Sequence, residues 1–270
     1  MATPTTQLTE TQIGAFQRDG FLGLDAITTV DELVWLRETY DRLFVGKVGW
    51  DDGNQFDLAG TDADDTPSLP QILRPSQYAP ELLNAQYLKN AREIARQILG
   101  DEMLPGNGEH MIYKPAGIGA ATPWHQDQAY HDPNTLSRGI NFWMPLDDAS
   151  VESGCLQFVP GTHEMDVLPH HPIGNDPRVH GLEVDDPLQW RTKSVACPLP
   201  AGGASLHAAF MLHYAGPNNT GHPRRAYTLT FRLPAVKRDV PVDNYWSRSQ
   251  KTARAERSKR AQGSQAEGRM

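Results

Sequence analysis

Apolar residues fall at helical spacing through roughly the first hundred positions and then alternate in short runs from about residue 108 onward. Thr9-x-x-Gln12 and Thr29-x-x-Glu32 read as capping boxes. The first opens a helix through Ile13 and Phe16 that stops at Gly20. The second opens one through Leu33, Leu36, Tyr40 and Leu43 that stops at Gly46. A third helix is expected from Pro80 to Gly100, with Leu83, Tyr87, Leu88, Ala91, Ile94, Ala95 and Ile98 as one stripe. Such a stripe needs a sheet or another helix to cover it. Strands are expected at His110–Lys114, Thr122–Asp127, Gly139–Leu146, Cys155–Val159, Ser194–Pro198, Ala204–Tyr214 and Arg225–Leu233. A block of helices followed by many short strands predicts a mainly β fold, a sandwich or barrel with helices flanking one face. Two stretches break the rhythm. Residues 50–66 crowd Asp51, Asp52, Asp57, Asp62, Asp64 and Asp65 without the ordered spacing of a calcium loop, and read as a solvated loop. Residues 164–193 are rich in His, Pro and Asp and read as a long functional loop, such as a lid.

Composition sharpens this picture in three places. The 23 Gly and 21 Pro lie mostly in turns such as Pro115–Gly117, Pro160–Thr162 and Gly216–Asn219, which fits many short strands. Two cysteines exclude a disulfide scaffold and a thiolate zinc site, and point to a reduced, cytoplasmic setting. The first residues lack the basic and apolar regions of a secretory signal, and no run reaches the ~18 apolar residues of a membrane span. The net charge of −8 is uneven: residues 247–270 carry +5 and the rest −13. An acidic body argues against nucleic acid or membrane as partner. The expected organisation is one domain over 1–246, with a helical part over 8–100 and a β core over 105–235. The basic tail, 247–270, is expected to be solvated and frayed.

The chemistry centres on Trp124-His125-Gln126-Asp127. Side chains two apart on a strand share a face, so His125 and Asp127 can converge on one ion. A non-haem iron(II) site takes two histidines and one carboxylate and leaves positions open. The second histidine is among His163, His170, His171, His180, His207, His213 and His222. His207 and His213 lie six apart on one expected strand, so parity puts both on the same face. After His213 the chain turns at Gly216-Pro-Asn-Asn, and Arg224 and Arg225 begin the next strand, across a hairpin. A guanidinium there suits a carboxylate held through two hydrogen bonds.

Four segments in this order and spacing resemble the phytanoyl-CoA dioxygenase family: Met111–Asp127, Phe142–Asp148, Ser153–His163 and His213–Ala226. The Gln12–Leu22 stretch is similar to the family's N-terminus. The resemblance implies a double-stranded β-helix (a cupin-like jelly roll) and an oxygenase using Fe(II), 2-oxoglutarate and O2, with ascorbate as reductant in vitro. It implies His125, Asp127 and His213 as metal ligands, with no further catalytic group. Arg224 is implied as the partner of the distal carboxylate of 2-oxoglutarate, with Arg225 as its rival. Trp143 matches a position beside the cosubstrate and also reads as a core aromatic. Gln126 and Thr122 are possible polar contacts to it. Many members carry Ser two residues after the distal histidine, where this chain has Ala215, so that hydroxyl is absent or supplied elsewhere. The implied reaction converts 2-oxoglutarate to succinate and CO2 and hydroxylates a C–H bond, or uses the same cofactors for desaturation, epoxidation or rearrangement. Asp127 disfavours halogenation, because related halogenases have a small residue there. The expected partner is a small organic molecule. Its specificity would come from 50–78 and 164–193, where His170, His171, Arg178, His180 and Arg191 could meet an anionic group.

Overall fold

Thr9 opens the first helix as its sequence predicts. Its side chain accepts the Gln12 backbone N–H at 3.2 Å, and Gln12 Oε1 accepts the Thr9 N–H at 2.9 Å. That helix, α1 (Glu10–Asp19), ends at Gly20 with φ 81°. A Cβ there would fall 2.4 Å from the His163 ring. Thr29 caps α2 (Val30–Val45). The second capping box is only half made: Glu32 turns away from Thr29 and accepts the backbone N–H groups of Gln86 and Tyr87. These are the first residues of α3 (Gln86–Leu99), which has no side-chain cap of its own. A carboxylate at a helix N-terminus supplies both hydrogen bonds and favourable charge. The start of α3 differs from expectation. Pro80–Asn84 is a separate 3-10 turn, and extended dihedrals at Ala85 (φ −57°, ψ 138°) break the helix there, leaving Leu83 exposed.

The computed structural model describes residues 3–63, 65–240 and 242–267. In chain order the first strands are β1 (Phe21–Leu24), β2 (Gln55–Asp57), β3 (Pro70–Leu73), β4 (Gly108–Lys114), β5 (Thr122–His125), β6 (Thr135–Leu136), β7 (Gly139–Pro145) and β8 (Leu156–Phe158). They continue with β9 (His170–Pro172), β10 (Leu182–Val184), β11 (Val195–Cys197), β12 (Ala204–Ala208), β13 (His213–Ala215), β14 (Arg224–Arg232) and β15 (Val236–Lys237). Seven form one antiparallel sheet in the order β1-β12-β7-β14-β4-β3-β2. Four form a smaller one in the order β11-β8-β13-β5. The two make a double-stranded β-helix, the jelly roll that the pattern and the resemblance predict. Strands β9 and β10 pair apart from both sheets, as do β6 and β15.

The large sheet has two distinct faces. Ile140, Phe142 and Met144 of β7 and Tyr227, Leu229 and Phe231 of β14 pack under α1–α3 in the main core. Tyr87 bolts helix to sheet: its hydroxyl donates to the carbonyls of Phe142 and Tyr227, both at 3.1 Å. The alternate residues face inward, toward the small sheet, and many are polar: Asn141, Ser205, His207, Arg224, Thr228 and Thr230. A jelly-roll interior with this many polar side chains is a site, since buried polar groups without partners are costly.

Four expectations fail here, each for a visible reason. Ala204–Tyr214 is two strands, because the chain crosses from the large to the small sheet at residues 209–212. For the same reason β13 and β14 are no hairpin: they lie in different sheets. The basic tail is not frayed within its described residues. It forms α5 (Tyr245–Ser249) and α6 (Ala253–Glu267), with the short α4 (Leu188–Arg191) preceding them in the chain. Trp246 is buried and donates from Nε1 to Ala129 O at 3.0 Å. Arg257 donates to Trp50 O, Gln55 O and Asp62 Oδ2 (2.7 Å) and lies 4.0 Å from the Trp50 ring centroid. The acidic 50–66 segment is accordingly folded. Asp57 accepts the N–H groups of Ala59, Ser68 and Leu69, and Asp62 pairs with Arg257, while Asp64 lies outside the described residues. Among the described residues no helix is long and apolar enough to cross a membrane.

Candidate active site

Strand β5 delivers His125 and its neighbour β13 delivers His213, directly opposite it in the register. The ladder of β5 ends at His125, and Asp127 opens a 3-10 turn, Asp127–Tyr130, rather than continuing the strand. Gln126 keeps extended dihedrals (φ −115°, ψ 133°), so the two-residue alternation still brings Asp127 to the face of His125. His125 Nε2 lies 3.6 Å and His213 Nε2 3.9 Å from Asp127 Oδ1. One ligand atom from each of the three falls within 4.8 Å of the others.

Each ring is oriented from behind. His125 Nδ1 donates to Pro123 O at 2.8 Å and His213 Nδ1 to Met211 O at 2.9 Å, which turns both Nε2 atoms to the centre. Such outer hydrogen bonds fix the tautomer that a metal ligand needs. Burial pushes the Asp127 carboxyl up, but the imidazoles of His213, His125 and His207 outweigh it and hold it well below the carboxylate range. Burial holds His213 well below its ordinary value, helped by His125. Two imidazole nitrogens and a carboxylate oxygen converging on one point are the donor set of a divalent metal.

Asp127 has a second oxygen, and two inward residues of the large sheet hold it. His207 Nε2 lies 3.2 Å from Asp127 Oδ2, and Asn141 Nδ2 donates to the same atom. Thr230 Oγ1 in turn donates to Asn141 Oδ1 at 2.5 Å. His207, Asn141 and Thr230 are register partners on β12, β7 and β14 and form one row across the sheet. His207 is thus a neighbour of the triad from the opposite wall. His163 caps α1 through Gln17 O, and His171 pairs with Asp185. The inward alternation of Thr228 and Thr230 against Leu229 and Phe231 is visible in the sequence. Nothing there marks Asn141, and His207 stands there only as one of several candidate ligand histidines, not as a partner of Asp127.

The next row, Ser205–Trp143–Thr228, leads to the closed end. Arg224 lies beside it, buried, its guanidinium carbon 5.2 Å from the Trp143 ring centroid. Burial lowers its pKa to about 10, so it stays cationic at neutral pH. Its Nε and Nη1, with Ser205 Oγ and Thr228 Oγ1, are buried without a protein hydrogen-bond partner. A buried cation and two hydroxyls left open fit a carboxylate ligand. Arg225 faces the other way, donating to Asp147 at 2.7 Å and to Asp41 of α2 at 3.0 Å. Thr122, Trp143, Arg224 and the triad line one cavity of about 480 Å³. Gln126 does not reach it. Its amide nitrogen donates to Phe210 O (2.8 Å) and Asp166 O, and its oxygen accepts Leu168 N–H (2.8 Å), so the side chain is fully engaged on the far side of the strand.

The model of the phytanoyl-CoA dioxygenase (PhyH) family matches residues 16–226. This chain belongs to the phytanoyl-CoA dioxygenase family. Among solved structures of similar fold, EvdO2 from Micromonospora carbonacea var. aurantiaca is 41% identical with a TM-score of 0.78, over 90% of this chain and 98% of that one. Its complex with 2-oxoglutarate matches at 40% and 0.76. A "Probable alpha-ketoglutarate-dependent hypophosphite dioxygenase" of Stutzerimonas stutzeri is 24% identical over 213 residues, 76% of this chain and 72% of its own length. The mouse phytanoyl-CoA dioxygenase domain-containing protein 1 is 31% identical over 121 residues, 44% of this chain. There the match spans only 41% of the relative's length. The protein is a 2-oxoglutarate-dependent dioxygenase that uses iron(II), 2-oxoglutarate and O2.

Proposed function

We propose that His125, Asp127 and His213 hold the iron and that the enzyme hydroxylates a C–H bond of a small organic molecule. The observation that carries this reading is a three-ligand cluster and an unpartnered buried guanidinium, Arg224, in one cavity. When bound, iron and 2-oxoglutarate would activate O2, the oxidant of the reaction: one oxygen atom would end in the succinate formed as CO2 leaves and the other in the hydroxylated product. The chain's own residues do the rest. Asp127 offers Oδ1 to the metal while His207 and Asn141 hold Oδ2. Arg224 pairs with the distal carboxylate of 2-oxoglutarate, and Trp143 limits its swing. The hydroxyls of Ser205 and Thr228 take the part of the serine that is missing at Ala215. Thr122 borders the same space, and the apolar Leu156 and Ala215 keep it poor in water. An intact carboxylate ligand favours hydroxylation over halogenation. Small molecules, rather than nucleic acid or membrane, are the partners, and the unpaired thiols of Cys155 and Cys197 suit a reducing, cytoplasmic setting.

Succinate release from 2-oxoglutarate with Fe(II) and ascorbate tests this reading. The wild type turns over, and His125→Ala falls by at least ~100-fold, since the ligand itself is lost. Arg224→Ala raises the 2-oxoglutarate KM by ~10–100-fold, the worth of a charge-assisted pair, whereas Arg225→Ala leaves that KM near wild type. The reverse ranking of the two arginines would refute the assignment.

A further inference from the structure

The inward face of β14 runs from a closed end to an open one. Arg224, Ala226 and Thr228 are buried, whereas Thr230 and Arg232 are partly exposed. On the reading above, 2-oxoglutarate occupies the Arg224 end, so the primary substrate enters and sits at the Arg232 end. That mouth is unusual in charge. Arg232 and Arg74 both line the cavity, and Asp127 is the single acidic residue among its lining residues. Neither guanidinium has a hydrogen-bond or ion-pair partner among the described residues. Arg74 is exposed and Arg232 partly buried, whereas Arg225, Arg238 and Arg257, which are shielded from solvent, each hold a carboxylate at 2.7–3.0 Å. Partial burial of an unpaired cation such as Arg232 is unfavourable unless something anionic arrives.

Arg74 adds a second, independent sign. It adopts left-handed dihedrals (φ 52°, ψ 52°), which are unfavourable for a non-glycine residue. The strain is held by the backbone: Arg74 N–H donates to Glu109 O, and Arg74 O accepts from Gln77 N–H. This kink puts a cationic side chain at the cavity mouth. His180, His110 and His131 line the same cavity. Burial drives His180 down to about 3 and His110 to about 4, so both are neutral at pH 7 and add no charge of their own.

We propose that this mouth is an anion site, and that the primary substrate is a small organic acid or phosphate ester whose anionic group is held by Arg232 and Arg74. The C–H bond to be oxidised then lies between that group and the three metal ligands. The proposal rests on the dioxygenase reading for which end is occupied by 2-oxoglutarate.

The experiment uses the full-length protein loaded with Co(II) and saturated with 2-oxoglutarate, so that the Arg224 end is filled. Inorganic phosphate and acetate are titrated separately at constant ionic strength, and the Co(II) absorption bands are followed. The wild type shows saturable binding of at least one anion, and the one preferred tells phosphate from carboxylate. Arg232→Gln weakens that anion by ~10-fold or more, the worth of one charge-assisted hydrogen-bond set. Arg74→Gln weakens it less, and Arg232→Lys, which keeps the charge, stays within ~3-fold of wild type. The affinity for 2-oxoglutarate is measured in every variant as the control for folding. Saturable binding lost in Arg232→Gln alone supports the proposal. If the wild type binds neither anion, or Arg232→Gln binds as the wild type does, the anion site is wrong. If 2-oxoglutarate itself fails to bind the wild type, the dioxygenase reading fails instead.

Discussion

Asp127 is held by more than geometry of its own strand. Its Oδ1, turned toward His125 and His213, is free because His207 and Asn141 occupy Oδ2, and both come from the opposite sheet. Outer-shell partners of this kind typically change metal affinity by ~10–100-fold. Asn141→Ala is therefore expected to weaken Fe(II) or Co(II) binding by about that factor, read by direct metal titration of the apoprotein. Asn141→Asp should be worse than Ala, since it sets a second carboxylate against Asp127 Oδ2. A metal Kd unchanged in Asn141→Ala would show the contact to be incidental. His125 and Asp127 were legible in the sequence as a pair, because His-x-Asp on an extended segment has a period, whereas His213 came only from the family resemblance. The clamp was not, because its two members are single polar residues on strands 66 residues apart in sequence, and only register brings them together. Gln126 shows the converse: it sits inside the motif yet points outward, as alternation requires of the residue between two inward ones.

At the scale of elements, the basic C-terminal segment braces the walls of the cavity from behind. Trp246 secures the turn that begins at Asp127. The Gln250 side chain donates to Val179 O and His180 O, and Lys251 N–H donates to Pro177 O. Arg257 fastens the 50–62 segment through Asp62, a pair in which both side chains are under one-tenth exposed. Breaking a buried pair from one side typically costs ~3–5 kcal/mol. Arg257→Ala should accordingly lose about that much stability in urea unfolding, and Arg257→Lys should recover part of it. A loss below ~1 kcal/mol, the range of surface pairs, would mean the helix is merely resting there. This brace could not be read from sequence. Residues 247–267 are polar, basic and poor in apolar stripe, and what orders them is a few single-residue anchors, Gln250, Lys251 and Arg257, rather than a periodic face. The crossing at 209–212 was hidden for a different reason: Ala-Phe-Met-Leu carries no turn residue, so an apolar run looked continuous. The N-terminal helices were readable because their caps are local.

For the molecule as a whole, buried neutral histidines set the acid limit. Burial lowers His170 to about 4 and His180 to about 3. His170 also accepts the Gln126 N–H at Nε2 (3.2 Å) while Nδ1 donates to Leu168 O (2.6 Å), so a proton on Nε2 would face another donor. The unfolded chain titrates near 6.5. Below that pH it binds protons that the folded chain refuses, so stability is complete above about 6.5 and is lost as pH falls toward 4. Urea midpoints of metal-free protein should drop steadily between pH 7 and pH 5, and the drop should be shallower in His170→Gln. A flat profile over that interval would contradict the burial argument.

The one-ended cavity has a kinetic consequence as well. With 2-oxoglutarate at the buried Arg224 end, as proposed, and the primary substrate at the more exposed Arg232 end, the cavity imposes an order of traffic. On the proposed placement 2-oxoglutarate loads first and the primary substrate second. Substrate that arrives early seals an empty chamber, so excess substrate should inhibit, and raising 2-oxoglutarate should relieve it. Succinate, formed behind the product, should depart last and compete with 2-oxoglutarate alone.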